Sequence, residues 1–321
     1  MLQPKDSAAK TTQIRPRVVF FGSGPVAAES LELLIRWCDV EAVVTKPQPK
    51  HHREEFPVLT IARAHGLTIL TASNRLEVDE TMRNNSFASR VAILIDFGII
   101  VSQAVIDSFE LGIINSHFSL LPEWRGADPI TFSILSGQAE TGVSLMLLVA
   151  AMDEGPLLAQ ATYDIPEDCT TPELTEALIE LSDRSLQHIV PLYLEGSTLP
   201  APQEAVALPG HTVASYSRKL AKADGILDFT KSADQLEREV RAYAEWPRSR
   251  MQLAGKDVIV TKAHSIATSD SSNTTPGNTE ISPETGVIMI HTADGCLCID
   301  RLKPAGKNEM TAQAFLAGNK I

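Results

Sequence analysis

The sequence predicts a parallel α/β sheet followed by a small β-barrel. From RVVFFGSG at 17–24 to GVSLMLLVA at 142–150, short strands alternate with helical segments. That order produces a parallel sheet with right-handed crossovers. Farther along, the short runs SRMQLAG, KDVIVTKAHSI, GVIMIHTADG and GCLCIDRLKPAG follow one another, separated by glycine, asparagine, aspartate and serine. Consecutive short strands with such turns are typical of a small barrel.

Local sequence patterns predict the individual strands and helices of the α/β part. RVVFF enters a tight Gly-x-Gly turn, and AAESLELLIRW at 27–37 follows with helical spacing. VEAVVT at 40–45 and IINSH at 113–117 are further strands. A long amphipathic helix is predicted at 171–196, where Thr171 suits the cap and Gly196 suits the stop.

The same pattern predicts the domain boundaries. A length of 321 residues suggests two domains. We expect a flexible tail at 1–16, an α/β domain at 17–196, a linker at 197–211 and the barrel at 212–321. The linker is placed where proline and short polar residues cluster, because these residues favour turns over regular elements.

Composition excludes several classes of protein. Hydrophobic residues make up 44% and charged residues 21%, as in ordinary globular proteins. No run approaches the roughly 18 apolar residues of a membrane span, and the amino-terminal segment lacks the apolar core of a secretory signal. Cys296 and Cys298 share a strand face, but no further metal ligands are evident nearby. We therefore expect reduced, buried thiols, no metal site and a cytoplasmic protein.

The charge is unevenly distributed along the chain. The formal net charge is −12, which argues against indiscriminate nucleic-acid binding. Residues 138–209 contain twelve acids and one base, whereas residues 210–265 contain ten bases and seven acids. Such asymmetry is a weak indication of a polyanionic partner at the basic part, and a solvated charged face is the ordinary alternative.

Gly22-Ser23-Gly24, placed between a strand and a helix, is compatible with a dinucleotide-binding turn. Such a site also needs an acid at the end of the second strand. That strand ends in Thr45 and Lys46, without a carboxylate. The glycines therefore favour a tight turn over a bound NAD.

The segment INSHFSLLPEWRG contains the clearest candidates for catalytic residues. Asn115 and His117 lie two residues apart on one strand, so their side chains leave the same face. An amide and an imidazole at the carboxyl end of a strand can together hold an oxygen that becomes negative during attack on a carbonyl. A structural histidine is the simpler alternative.

An acidic pair follows the strand GVSLMLLVA. Asp153 or Glu154 could lie near His117 and take part in proton transfer, or either could cap the loop. Spacing alone does not choose between the two acids.

The combination N-x-H-x-S-L-L-P-x-W-R-G with a later M-D-x-G resembles the folate-dependent formyltransferases. The carboxyl-terminal strings SYSRKLAKADGILDF and RLKPAGKNEMTAQAFLAG resemble the methionyl-tRNA formyltransferases within that superfamily. The resemblance implies a Rossmann-like catalytic domain and an OB-fold-like barrel. It also implies 10-formyltetrahydrofolate as donor, initiator methionyl-tRNA as acceptor, and a protein we expect to be monomeric.

The resemblance further implies roles for individual residues. It assigns the catalytic trio to Asn115, His117 and Asp153, and so prefers Asp153 to Glu154. Folate would contact Ser119, Leu120, Leu121 and Pro122, and we expect the Phe97-Gly98 backbone to read the pterin. We expect tRNA to be bound by Lys46, Lys50, Arg53, Arg218, Lys219 and Lys222. Two features depart from the family pattern. Glu54 and Glu55 offset the positive charge of Lys46, Lys50 and Arg53, and Asp128 stands where the family usually has an alanine after W-R-G.

Two alternatives to this function stay open. A sugar-nucleotide N-formyltransferase would use the same donor and the same trio on an amino sugar. A folate- or tRNA-binding protein without activity is the non-enzyme alternative, and the filled trio argues against it.

Overall fold

The structure is a computed structural model that describes residues 15–48, 55–267, 275–282 and 286–320. The described chain divides into two compact units. The first contains the residues up to Asn115 together with Leu186–Leu199, and the second contains Ser116–Ser185 and the residues from Pro200 onward. In the described parts, no helix has both the length and the apolar character that a membrane crossing requires.

Strands and helices alternate in the first unit. Its strands are β1 (Arg17–Phe21), β2 (Asp39–Thr45), β3 (Ile69–Thr71), β4 (Val91–Leu94) and β5 (Ile113–His117). Its helices are α1 (Pro25–Leu34), α2 (Pro57–Ala64), α3 (Arg75–Arg83) and α4 (Gln103–Ile106). The last two residues of β5 belong to the second unit.

The strands of the first unit run parallel in the order β3-β2-β1-β4-β5. Their β-branched and aromatic residues form a core in which Phe20, Phe21, Ile93 and Ile113 are fully buried. Helix α1 begins at Pro25, because a proline suits the first helical position. The α/β architecture predicted from the alternating pattern is confirmed.

The second unit contains the remaining elements. Its helices are α5 (Pro129–Ser136), α6 (Thr171–Leu194), α7 (Gln203–Val206), α8 (Ala233–Ala242) and α9 (Ala312–Leu316), and residues from Leu186 in α6 belong to the first unit. Its strands are β6 (Arg125–Gly126), β7 (Glu140–Leu147), β8 (Leu157–Asp164), β9 (Tyr216–Ser217), β10 (Ser249–Leu253), β11 (Lys256–Ile266), β12 (Thr279–Ile281), β13 (Ile288–His291), β14 (Cys296–Pro304) and β15 (Met310–Thr311).

In the second unit, β7 pairs antiparallel with β8. Strand β8 is not predicted from the sequence. Its residues LLAQATYD are buried only at the start, so they lack the continuous apolar pattern of a central strand. The long helix α6 starts at Thr171, as expected. The hydrogen bonds to the Glu173 carboxylate at the helix start come from Thr170 and not from Thr171, the predicted cap.

The carboxyl-terminal part of the second unit is an antiparallel sheet in the order β10-β11-β14-β13-β12, with β15 on β14. Its apolar residues enclose one core that includes Leu236, Val260, Ile290, Leu297 and Phe315. This arrangement confirms the predicted small barrel-like domain. The exact limits of the predicted domains and linker stay predictions.

Candidate active site

Strand β5 presents Asn115 and His117 on one face. All five of its residues are buried, and the two side chains alternate with Ser116. Ser116 points the other way and shares a 2.7 Å hydrogen bond between hydroxyl groups with Ser182 of α6. Asn115 and His117 therefore leave the same face of one buried strand, as the alternation of strand side chains predicts.

The imidazole of His117 is held at one nitrogen. Its Nε2 lies 3.0 Å from the carbonyl oxygen of Trp124. Because a carbonyl only accepts, Nε2 carries the hydrogen in either charge state of the ring. Nδ1 is therefore the nitrogen that gains or loses a proton. It lies 3.9 Å from Oδ2 of Asp153, which is longer than a direct hydrogen bond.

Asp153 stands in the loop between β7 and β8 in the left-handed backbone region, at φ 51°. Its Oδ2 accepts a 2.7 Å hydrogen bond from the backbone N–H of Gly126. Gly126 has φ +110°, and a Cβ there would lie 2.5 Å from the carbonyl oxygen of Ser217. Glycine is thus required at the position whose N–H anchors the carboxylate.

Glu154 has a different environment from its neighbour. Its carboxylate is half-exposed, and Oε1 lies 3.4 Å from Nη1 of the buried Arg125. Of these two acids, Asp153 is the one that faces His117. The geometry therefore favours Asp153 where spacing left both candidates open.

The predicted folate segment, residues 119–122, is buried. The hydroxyl of Ser144 donates to the carbonyl of Ser119 at 2.7 Å and accepts from the N–H of Leu121 at 2.9 Å. Gln160 donates to the carbonyl of Leu121 at 2.8 Å. The segment therefore has a fixed backbone shape, and the Leu120 and Leu121 side chains face the protein interior.

Phe97 and Gly98 follow β4 in the first unit. The Phe97 ring is buried edge-on against Phe21, with 5.5 Å between ring centroids. Gly98 has φ +63°, and a Cβ there would lie 2.8 Å from Nζ of Lys46. Phe97 is thus a core residue, and contact between the Phe97-Gly98 backbone and a pterin stays a prediction.

The N–H groups of the Gly-x-Gly turn form hydrogen bonds within the protein. The N–H groups of Ser23 and Gly24 both donate to the carbonyl of Asp96, at 3.0 and 3.2 Å. The Asp96 carboxylate packs on Gly24, because a Cβ there would lie 1.7 Å from Oδ2. Occupied N–H groups beside a carboxylate oppose a bound pyrophosphate, in agreement with the low expectation for NAD.

The predicted tRNA-binding bases differ in their surroundings. Lys50 and Arg53 lie outside the described residues. Arg218 forms two hydrogen bonds with Asp224, at 2.8 and 2.7 Å, and this ion pair lowers the pKa of Asp224 to about 2. Lys219 and Lys222 are exposed. The charge of Arg218 is therefore locally balanced, unlike a base that meets only solvent.

Two groups of residues near the site are not predicted from the sequence. Arg125, the arginine of the W-R-G string, donates to Oε1 of Gln203 at 2.7 Å. His211 lies 3.0 Å from carboxylate oxygens of both Glu123 and Glu140. The W-R-G string contains Arg125 and could have indicated it, whereas nothing in the proline-rich segment at 197–211, predicted as a linker, distinguished Gln203 or His211.

Cys296 and Cys298 are buried free thiols. Burial, together with the nearby Cys296 and Asp300, raises the pKa of Cys298 to about 11. Within the described ranges, no group of three or more histidine, cysteine, aspartate or glutamate residues could hold a metal ion. These thiols therefore behave as small core residues.

Comparison with protein families gives two matches. Residues 17–190 match the family described as formyl transferase, and residues 219–320 match the formyl transferase C-terminal domain. The methionyl-tRNA formyltransferase of Myxococcus xanthus is 34% identical over 311 residues, covering 96% of each chain. That of Nitratidesulfovibrio vulgaris is 32% identical over 312 residues, covering 94% of this chain and 92% of the relative.

Solved structures share the fold at lower identity. A sugar 3N-formyl transferase, WlaRD, studied with dTDP and 5-N-formyl-THF, has a TM-score of 0.64 and 17% identity and covers 91% of this chain and 99% of its own. An N-formyltransferase from Helicobacter canadensis, in complex with folinic acid and dTDP-3-aminofucose, has a TM-score of 0.63 and 16% identity, with 88% and 98% coverage.

Proposed function

This chain belongs to the formyl transferase family, and we propose that it transfers the formyl group of 10-formyltetrahydrofolate to the amino group of initiator methionyl-tRNA. The observation that carries this proposal is the similarity to methionyl-tRNA formyltransferases over 96% of both chains, barrel included. We further propose that the enzyme is monomeric and acts in the cytoplasm during translation initiation.

The proposed reaction is a direct acyl transfer. The free amine of the acceptor attacks the formyl carbon, a new C–N bond forms, and the bond from that carbon to N10 of folate breaks. The formyl oxygen becomes negative as the amine adds. Asn115 stabilises this oxygen through its amide N–H, and His117 does so through Nδ1–H when the ring is protonated, because Nε2–H is already bonded to Trp124. One such donor is typically worth about 3–4 kcal/mol in the transition state.

The proton released by the attacking amine has to reach N10 of the leaving folate. His117 Nδ1 and the Asp153 carboxylate face each other at 3.9 Å, which supports a role for this pair in the transfer. The negative carboxylate stabilises a protonated Nδ1 when the ring is charged. Because Nε2 is held by Trp124, a change of protonation at Nδ1 leaves the ring in place.

The donor and acceptor interactions remain part of the proposal. Hydrogen bonds fix the backbone of Ser119–Pro122, and we propose that this segment forms one wall of the folate site. We also propose that backbone groups of Phe97 and Gly98 hydrogen-bond the pterin. Lys219 and Lys222 are proposed to meet tRNA phosphates, with weaker contributions from Lys46 and Arg218. Lys50 and Arg53 are proposed on sequence grounds alone.

An amino sugar nucleotide is the second candidate acceptor. The observation in its favour is the fold shared with the sugar 3N-formyl transferase over 99% of that protein. Its identity of 17% is half that of the Myxococcus xanthus relative, so we prefer the tRNA acceptor.

An acceptor competition distinguishes the two candidates. The purified chain is given 10-formyltetrahydrofolate with methionyl initiator tRNA, uncharged tRNA or a dTDP-amino sugar, and formylated product is measured. We expect product only with methionyl-tRNA. Formylation of the amino sugar in place of the tRNA would overturn the proposed acceptor, and no product with any acceptor would overturn the proposed activity.

A further inference from the structure

The chain just before α7 pairs with the first residue of β8. Ala201 and Leu157 exchange two backbone hydrogen bonds, of 2.8 and 2.9 Å, at the start of β8. This pairing fixes the start of α7 beside the loop that carries Asp153. The side chain of Gln203, the first residue of α7, turns inward and is 2% exposed.

The amide of Gln203 is fully engaged. Its Nε2 donates to the carbonyl oxygens of Asp153 at 2.8 Å and Gly155 at 3.0 Å. Its Oε1 accepts from Nη2 of Arg125 at 2.7 Å. Two carbonyls can only accept and a guanidinium can only donate, so these neighbours dictate the orientation of the amide.

Few side chains could make the three hydrogen bonds found at position 203. A side chain must donate twice and accept once at the same distance from the backbone. Glutamate offers no donor when ionised, lysine offers no acceptor, and methionine offers no hydrogen-bonding group of comparable strength. Glutamine is the side chain of this length that makes all three hydrogen bonds.

These hydrogen bonds close a ring around Asp153. Gln203 holds the backbone carbonyl of Asp153, and Arg125 holds Gln203. Gly126, the residue after Arg125, donates its N–H to the Asp153 carboxylate. The left-handed backbone of Asp153 is thus braced at its carbonyl and at its side chain, which is what a non-glycine residue in that region needs to stay there.

We propose that Gln203 is a positioning residue that sets the Asp153 carboxylate opposite Nδ1 of His117. The inference rests on the proposed function, because it assigns Asp153 a part in formyl transfer. The three hydrogen bonds of the Gln203 amide go to Asp153, Gly155 and Arg125 rather than to His117. Gln203 acts by holding the loop, and a misplacement of about 1 Å in a catalytic group can cost roughly 10²-fold in rate.

The test is a double-mutant cycle on the single-turnover rate of formyl transfer to methionyl-tRNA. Gln203→Met keeps the length and removes all three hydrogen bonds. We expect a loss of about 10- to 100-fold in this rate, the range typical of residues that orient a functional group. Steady-state KM values for both substrates should stay within a factor of about three. Glu204→Gln, an exposed change on the same helix, is the matched control.

The decisive arm repeats Gln203→Met in an Asp153→Asn background. A positioning residue has little left to position there, so we expect the second substitution to lower the rate less than twofold. A purely structural role would produce the same fold-loss in both backgrounds and would overturn the proposal. If Gln203→Met does not fold, Gln203→Glu, which keeps the acceptor for Arg125, replaces it in the same cycle.

The outcomes for the two proposals are separable. If Asp153→Asn alone leaves the rate unchanged, the proposed role of Asp153 fails. If Asp153→Asn slows transfer but Gln203→Met behaves like Glu204→Gln, only the positioning role of Gln203 fails.

Discussion

Nδ1 of His117 faces Oδ2 of Asp153 at 3.9 Å, a separation beyond a direct hydrogen bond. The carboxylate is anchored instead on the N–H of Gly126, and the ring on the carbonyl of Trp124. Each partner is therefore held independently of the other. Both side chains can therefore stay in place during the proposed proton transfer, in which the proton would cross the gap through an intervening water rather than directly.

Replacing Asn115 tests the stabilisation of the formyl oxygen. Asn115→Ala should lower kcat by about 10²- to 10³-fold, the effect of losing one oxyanion donor, with little change in KM for the folate. Ser116→Ala on the same strand is the control, since it faces away and removes the hydrogen bond with Ser182. Steady-state formylation kinetics measure both, and equal effects of the two variants would contradict the proposed role of Asn115.

Folate binding should stabilise the folded protein by mass action. A non-reactive 5-formyl analogue at a hundred times its Kd should add about 2.7 kcal/mol to the free energy of unfolding. Thermal denaturation with and without the analogue measures this shift. NAD should produce none, because the Asp96 carboxylate packs on Gly24. A shift with NAD and none with the folate analogue would refute the assignment of the donor.

The exposed lysines of the second unit should control the salt dependence of tRNA binding. Removing one lysine–phosphate interaction should flatten the slope of log K against log salt by about 0.7–0.9. Lys219→Ala with Lys222→Ala should therefore weaken binding and reduce the slope. Arg218→Ala should do less, because Asp224 already pairs with that side chain.

Arg36→Ala, an exposed change in the first unit, is the control for that experiment. Binding isotherms at several salt concentrations give the slopes. Identical slopes for the lysine variant and the control would show that these lysines belong to an ordinary solvated face. Folate binding should be unchanged in all variants.

His211 predicts a pH-dependent stability. Burial opposes its charge, but hydrogen bonds and charge from Glu123 and Glu140 outweigh burial and raise the pKa above 6.5. A raised pKa contributes stability that is present below the unfolded value and disappears as the pH rises through the folded value. As the pH rises above about 6.5, the urea midpoint of the wild type should therefore fall relative to that of His211→Gln. Parallel profiles for the two proteins would rule out this contribution.

The site residues that could be placed from the sequence are those whose positions follow from the alternation of side chains along a strand. Asn115 and His117 share a face because strand side chains alternate, and the buried IINSH run indicated the strand. Asp153 and Glu154 could not be separated in this way, because the left-handed backbone at Asp153 sends adjacent side chains to different partners. Gln203 lies in a segment without apolar period, and its role depends on the pairing of Ala201 with Leu157 in the folded chain.

Two neighbouring acids provide the most direct test of the proposed mechanism. Asp153→Asn keeps an oxygen that can accept from Gly126 but removes the charge opposite His117, whereas Glu154→Gln removes the charge beside Arg125. In single-turnover formylation of methionyl-tRNA, we predict that Asp153→Asn loses about 10²- to 10⁴-fold, the usual range for a general acid–base group. Glu154→Gln should stay within a factor of about three of wild type. A normal rate for Asp153→Asn, with folate still bound, would contradict the central claim.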